Sequence, residues 1–258
     1  MWPAKFSPRL EPDFLSHLEE LRRRLIVSLA AFFLFSIFSY FFSKQLLDFL
    51  TLPLNQFQQA QLFFQTPYEA FLTHLKVAAF AGFLLSSPIL LTQGWFFVAP
   101  GLYPREKKIF LPLILVTCLL FLVGALFAYL VVVPWGLHFL LSFQTESLKP
   151  LLGISPYFSF LAGMVLAFGF VFDFPIVIIS LVRLEIINTK KLANARKGII
   201  VFLFFLAAVL TPSPDPISQL LLAFPLIFLF EISIFAARRM EKTRLKNEPN
   251  PSHHKNLR

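Results

Sequence analysis

Apolar residues along the chain fall into long blocks, separated by short polar gaps that hold most of the charge. A helix that crosses a bilayer needs about 20 predominantly apolar residues. Four blocks suit that length and predict membrane helices over Leu25–Phe42, Val77–Val98, Ile109–Val133 and Phe158–Val182. A fifth block, Gly198–Leu210, is short and reaches only from Arg196 to Thr211 with its polar ends included. The sixth, Ile217–Ala237, is long enough but contains Pro225 and Glu231. The TPSPDP segment between the last two predicts a tight turn and hence a helical hairpin. A buried hairpin in a soluble protein would look similar by itself, but here four clear spans precede it.

The gaps carry local signals of their own. Ser43–Leu52 predicts a short surface helix. Pro67–Lys76 predicts another, because TPYEAF offers Thr66 as N-cap, Pro67 at the first helical position and Glu69 near the third. At the other end of the first span, Asp13 or Ser16 can cap a helix, and Ser16-x-x-Glu19 fits a capping box. Phe14, Leu18, Leu21 and Leu25 then form one apolar stripe. Pro88, Pro112, Pro134, Pro175 and Pro225 lie within or beside spans, where each removes an i→i−4 bond. Helices curved around a concavity and an ordinary irregular bundle both follow from that pattern.

Composition agrees with the blocks. The chain is 57% hydrophobic and 14% charged, against about 25% charged residues in soluble domains. Net charge is +9, yet the basic residues sit in gaps between apolar runs, which argues against nucleic acid as a partner. Of the 23 Lys and Arg residues, all but Lys44, Lys76 and Lys149 fall on one side of a six-span topology. By the positive-inside rule that side is cytoplasmic and holds both termini; any even number of spans would satisfy the same asymmetry. The polar, proline-punctuated stretch before the first span does not suit a cleaved signal peptide, so that span is expected to be retained. The lone Cys118 stands in an apolar run and reads as a packed small hydrophobe. The organisation expected is one transmembrane domain over residues 1–240, with a cytoplasmic N-terminal segment, and a flexible cytoplasmic tail over 241–258.

Polar groups that interrupt this pattern are the candidate chemistry. In HLEELRRRL, residues 17–25, Glu19 and Arg23 are four apart, as are Glu20 and Arg24, in the favourable order for helix pairs. The stretch reads either as a salt-bridged interfacial helix start or as a carboxylate that receives a cationic peptide. FVAPGLYPREKK adds Glu106 in the loop after the second span, with Phe97 at the membrane edge. Two carboxylates at matched height suit two guanidinium forks, although Arg22–Arg24 could neutralise them internally. Asp173 has no charged neighbour between Lys149 and Arg183. An intramembrane acid of this kind faces a bundle interior, a cavity or a partner, unless it is protonated and hydrogen-bonded locally beside Pro175. Glu231 is placed to snorkel toward Arg238. Asp215 or Ser218 suits a cap at the start of the last helix, just before Gln219.

Enzyme signatures are missing: HExxH, a Gly-rich phosphate loop and GxSxG do not occur. His17, His74 and His138 lack partners at metal-site spacing. No catalytic set, metal or cofactor is therefore expected. A small-solute transporter would use Asp173 and the proline-broken spans, but no internal repeat is evident. A membrane scaffold is the remaining alternative.

Taken together, HLEELRRRL, TPYEAF, FVAPGLYPREKK and TPSPDPISQLLLAFPLIFLFE, in this order across nearly the whole chain, resemble the TatC family, the multispanning receptor subunits of the twin-arginine translocase. The resemblance implies an all-α polytopic membrane protein, with six helices in a concave, glove-like bundle and both termini cytoplasmic. It implies binding of twin-arginine signal peptides of folded precursors, and export across the cytoplasmic (inner) membrane driven by the proton-motive force. The implied partners are TatA-type and TatB-type single-span proteins, further copies of the chain and membrane lipids. By motif, signal binding falls on Glu20, Arg22, Phe97 and Glu106. The intramembrane acid, often glutamate in the family, falls on Asp173, with Gln219 and Glu231 as further intramembrane polar positions. Tyr129 and Asp215 match external positions of architectural importance. Aspartate at 173 shortens the reach of that acid by one methylene. Gly101 and Pro104 vary the loop but keep the Phe97-to-Glu106 spacing.

Overall fold

The computed structural model describes residues 11–56, 61–98, 107–142, 151–183, 187, 189–210 and 216–247. Among them the helices are α1 (Glu11–Phe41), α2 (Ser43–Thr51), α3 (Pro67–Val98), α4 (Lys107–Phe127), α5 (Val133–Leu141), α6 (Ile154–Arg183), α7 (Thr189–Asn194), α8 (Arg196–Leu210) and α9 (Pro216–Asn247). Five stretches are long and apolar enough to cross a membrane: Ser16–Phe41, Pro67–Phe97, Leu111–Leu141, Ile154–Arg183 and Gln219–Glu241. They cover the four clear blocks to within two residues at their ends, and most of the sixth. The fifth block forms α8, whose 15 residues cover about 22 Å at 1.5 Å per residue, short of a hydrocarbon core of roughly 30 Å. Large apolar side chains such as Phe33, Leu34, Phe41, Leu111, Trp135, Phe205 and Phe224 are exposed. Such an exterior is stable against hydrocarbon and not against water. The protein is an all-α polytopic membrane protein.

Several boundaries differ from the sequence reading. Helix α1 starts at Glu11, so Ser16 lies inside it and heads no capping box. The expected surface helix at Pro67 is the first part of a continuous α3. Its Glu69 reaches back to the Gln65 N–H (2.6 Å) and also accepts the Ser155 N–H (3.2 Å), so one carboxylate ties the start of α3 to the start of α6. The third block does not stop at Val133. A π-helical turn, Ala128–Val132, joins α4 to α5 and carries the chain to Leu141. The π turn ends just ahead of Pro134, whose missing N–H would interrupt a regular ladder. Helix α9 persists to Asn247, past the boundary expected at 241, through residues that are mostly good helix formers. Two short strands, Gln61–Phe63 and Leu151–Gly153, pair in a small sheet.

Packing divides the chain into two compact units. The first contains α1, α2, α3, α4 as far as Cys118 and the first residues of α6. Here α1 lies along α3. The close approach depends on Gly82, where a Cβ would fall 2.3 Å from Ser36 Oγ and 2.5 Å from the Ser36 backbone. Phe32 meets Phe83 edge-on. At the far end of the unit, Tyr157 Oη donates to the Leu50 carbonyl (2.7 Å) and Phe80 packs edge-on against Phe158. Within α3, Pro88 leaves the Leu84 carbonyl without its i+4 donor. The Ser87 hydroxyl donates to that carbonyl at 2.7 Å, the kind of local replacement that lets a membrane helix carry proline.

The second unit contains the rest of α4, the π turn, α5, most of α6 and α7–α9. Gly169 on α6 admits the Phe121 ring, and Gly124 on α4 admits the Phe168 carbonyl and the Phe172 side chain. Small residues that let backbones approach replace the hydrophobic effect as the packing device in a bilayer. Helices α8 and α9 form the expected hairpin, held by a hydrogen bond from Gln219 Nε2 to the Phe204 carbonyl (3.0 Å).

Candidate functional site

In the first unit, His17, Glu20, Arg24 and Val27 recur at three- and four-residue spacing and so share one face of α1. That face meets the last turns of α3. Glu20 Oε1 accepts two hydrogen bonds from Arg24, from Nη2 at 2.6 Å and from Nε at 3.1 Å. Arg24 Nη1 donates across to Gln93 Oε1 on α3 at 3.1 Å. The guanidinium carbon stands 5.0 Å from the centroid of the Phe96 ring. Beside it, His17 stacks on Phe97 with ring centroids 4.4 Å apart. A carboxylate, an amide carbonyl and an aromatic face thus converge on one planar cation, the complement that a guanidinium requires.

A cavity of about 540 Å³ opens beside this cluster, lined by Ser16, Glu19, Glu20, Arg23, Arg24, Val27 and Gln93. The side chains of Arg24 and Glu20 are 27% and 29% exposed. Ion pairs that remain partly in solvent contribute about 0.2–1 kcal/mol, so the pair organises the site more than it stabilises the fold.

Of the residues assigned to this region by motif, Glu20 and Phe97 come to the same end of the first unit. Arg22 is exposed and does not line the cavity; the arginine built into the cluster is Arg24. Glu19 and Arg23 line the cavity and, among the described residues, form no ion pair, although their spacing matches that of Glu20 and Arg24. Glu106 and Asp215 lie outside the described residues. Sequence reasoning missed Gln93, Phe96 and His17. Gln93 did carry a signal, as a lone amide in an apolar segment three and four residues before Phe96 and Phe97, which places all three on one face.

The second unit holds the intramembrane polar groups. Asp173 on α6 is 6% exposed, and neither carboxylate oxygen has a hydrogen-bond partner among the described residues. No local hydrogen bond beside Pro175 relieves it. Ser180, two turns further along α6, has an unpartnered buried hydroxyl as well. Tyr129 is buried within the π turn. Glu231 does not snorkel toward Arg238: it pairs with Arg196 at the start of α8, because the antiparallel hairpin brings that arginine alongside. Thr189 at the start of α7 donates to the Glu241 carboxylate on α9. Among the described residues no group of His, Cys, Asp and Glu side chains is arranged to hold a metal ion.

The family model described as "Sec-independent protein translocase protein (TatC)" matches residues 16–225, a range that includes every described residue of the Arg24 cluster. The TatC protein of Magnetococcus marinus is 39% identical over 91% of this chain and 87% of its own length. That of Aquifex aeolicus is 40% identical over 90% of this chain and 96% of its own length. A crystal structure of the twin-arginine translocase receptor TatC superposes with a TM-score of 0.78 at 40% identity, over 86% of this chain and 99% of that one. The chain therefore belongs to the TatC family, multi-pass membrane proteins of the Sec-independent protein translocase and not enzymes.

Proposed function

We propose that the protein is the signal receptor of a twin-arginine translocase, binding twin-arginine signal peptides at the Glu20 end of α1 and α3. The observation that supports this reading is the Glu20–Arg24–Gln93–Phe96 cluster, a site already shaped to guanidinium chemistry. Glu106 supplies the second carboxylate, and Phe97 and Arg22 complete the recognition surface. The receptor sits in the cytoplasmic membrane with both termini cytoplasmic and helps to export folded precursors at the expense of the proton-motive force. Asp173, Gln219 and Glu231 serve partner helices of TatA-type and TatB-type proteins or further copies of the chain. Tyr129 and Asp215 hold the external architecture.

Replacing Glu20 or Glu106 by Ala is expected to weaken binding of a labelled twin-arginine peptide by roughly ten- to a hundredfold, since hydrogen bonds to charged groups contribute about 1.5–3 kcal/mol. Lysine at either position should be worse through added repulsion. Unchanged affinity in the double Ala variant would return both residues to the role of surface ion pairs. Orientation is checked separately, in a Cys118→Ser background. Cysteines placed at Gln58 and Thr145 should react with an impermeant thiol reagent on intact cells, and one at Asn194 should not. Outside labelling at Asn194 would overturn the topology inferred from the basic residues.

A further inference from the structure

We infer that Arg24 is an internal stand-in for the arginine of the signal peptide: at rest its guanidinium fills the cradle of Glu20, Gln93 and Phe96, and an arriving guanidinium takes its place. The inference rests on the reading of Glu20 as a signal-binding carboxylate.

The cradle is a complete guanidinium site, with its occupant in view. Nε and Nη2 donate to Glu20, Nη1 donates to Gln93 on the other helix, and the guanidinium carbon lies over the Phe96 ring. Meeting two acceptors on different helices while lying against a ring requires a planar fork. A lysine ammonium is a compact point charge; it satisfies the carboxylate but cannot also span to Gln93 and stack.

The occupant is also replaceable. Arg24 is about a quarter exposed, and it borders the cavity of about 540 Å³ that Ser16, Glu19 and Arg23 also line. Its aliphatic stem lets the head swing into water without moving α1, and Glu19 is a second carboxylate that lines the same space. Exchange then trades like for like. The carboxylate is never left unpaired at a site of lowered dielectric, where a lone charge is costly. An arriving arginine recovers the contacts that Arg24 gives up, whereas an arriving lysine breaks three hydrogen bonds and a stacking contact to form one ion pair. Discrimination between the two cations is set by the contacts each makes in the emptied cradle, while the shared cost of evicting Arg24 lowers both affinities alike. Apparent affinity is reduced by the fraction of receptors whose cradle is filled.

The test uses the full-length receptor in detergent, titrated with fluorescent twin-arginine and twin-lysine signal peptides. Unmodified protein is compared with Arg24→Gln, Arg24→Ala and Glu20→Ala, and thermal melting is followed for each. Both Arg24 variants should bind the twin-arginine peptide about three- to tenfold more tightly, as expected when a competing state is removed. The twin-lysine peptide should gain by the same factor, because both cations displace the same occupant, so the preference for arginine is kept. Weaker binding at an unchanged melting temperature would make Arg24 a positioning residue for Glu20 and overturn the inference. Unchanged affinity for both peptides would reduce it to a surface ion pair and overturn the inference equally. The Gln variant keeps a polar amide within reach of Glu20, so it remains informative should Ala lower the melting temperature. If Glu20→Ala leaves peptide affinity intact, the receptor reading itself fails. If Glu20→Ala abolishes binding while the Arg24 variants do not tighten it, only the stand-in is wrong.

Discussion

Asp173→Ala is expected to lower transport at least about tenfold while the isolated protein melts no lower than before, and Asp173→Asn to keep most transport. The two carboxylate oxygens are buried without partners among the described residues, and each orphaned buried group costs about 1–3 kcal/mol. Removing the carboxyl opens a void of about 20–30 Å³, which at 24 cal/mol per Å³ costs about 0.5–0.7 kcal/mol. The deletion therefore relieves more than it removes. A group kept at such a cost in the resting protein is expected to be satisfied in another state, by a donor on a partner helix. A hydrogen bond of about 1–1.5 kcal/mol corresponds to about tenfold in an association constant. Asparagine retains an acceptor of the same size, which favours a hydrogen-bonding role over an ionic one, since an unpaired charge at that depth is costly to maintain. The measurements are precursor transport, melting in detergent and photocrosslinking from position 173. Full transport by the Ala variant, with crosslinks only to lipid, would make the acid incidental; loss in both variants would require the charge itself.

Gly82→Ala is expected to cost more than about 3 kcal/mol, at or above the upper end of ordinary overpacking, and to abolish peptide binding with it. The added methyl group would meet the backbone N and Cα of Ser36 at 2.5 Å as well as its hydroxyl. A hydroxyl can rotate away; a helix backbone cannot. Helix α1 must then lift from α3, and the cradle opens, because Glu20 and Arg24 belong to one helix while Gln93, Phe96 and Phe97 belong to the other. Ser36→Gly should not rescue the variant, for the same reason. Gly94→Ala is the matched control on the same helix. Nothing among the described residues lies within 4 Å of its added Cβ, and alanine should gain roughly 0.5–1 kcal/mol of helix stability over glycine. If Gly82→Ala melts and binds like the unmodified protein, the packing of α1 on α3 described above is wrong.

The spans were legible because a bilayer imposes one length and one polarity, so Leu25–Phe42 or Phe158–Val182 can be read without knowing what packs beside them. The α8–α9 hairpin was legible for the same reason, from TPSPDP between two apolar blocks. What the pattern did not carry were facts set by a second helix. Glu20 and Arg24 pair locally, four residues apart, and the spacing shows it. Gln93 joins them from 69 residues away, and no local pattern encodes that distance. The spacing of Glu19 and Arg23 is as good as that of Glu20 and Arg24, yet only the second pair faces α3 and closes. Glu231 was read against Arg238 on its own helix because the sequence does not show that Arg196 arrives from the neighbouring one. The π turn at Tyr129 was hidden too, since a shift in the backbone ladder leaves hydrophobicity unchanged.

The bond from Ser87 to the Leu84 carbonyl bears on how this segment can change over time. Serine at 87 is dispensable in a lineage that has already lost Pro88, because residue 88 then supplies its own N–H to Leu84. In a lineage that keeps Pro88, losing the hydroxyl first strands a carbonyl inside the membrane at a cost of several kcal/mol. The two substitutions are therefore not interchangeable in order. Drift through this pair should run in one direction, proline leaving before serine, and a transplanted Pro88 should be tolerated only in sequences that already carry a hydroxyl one residue ahead of it.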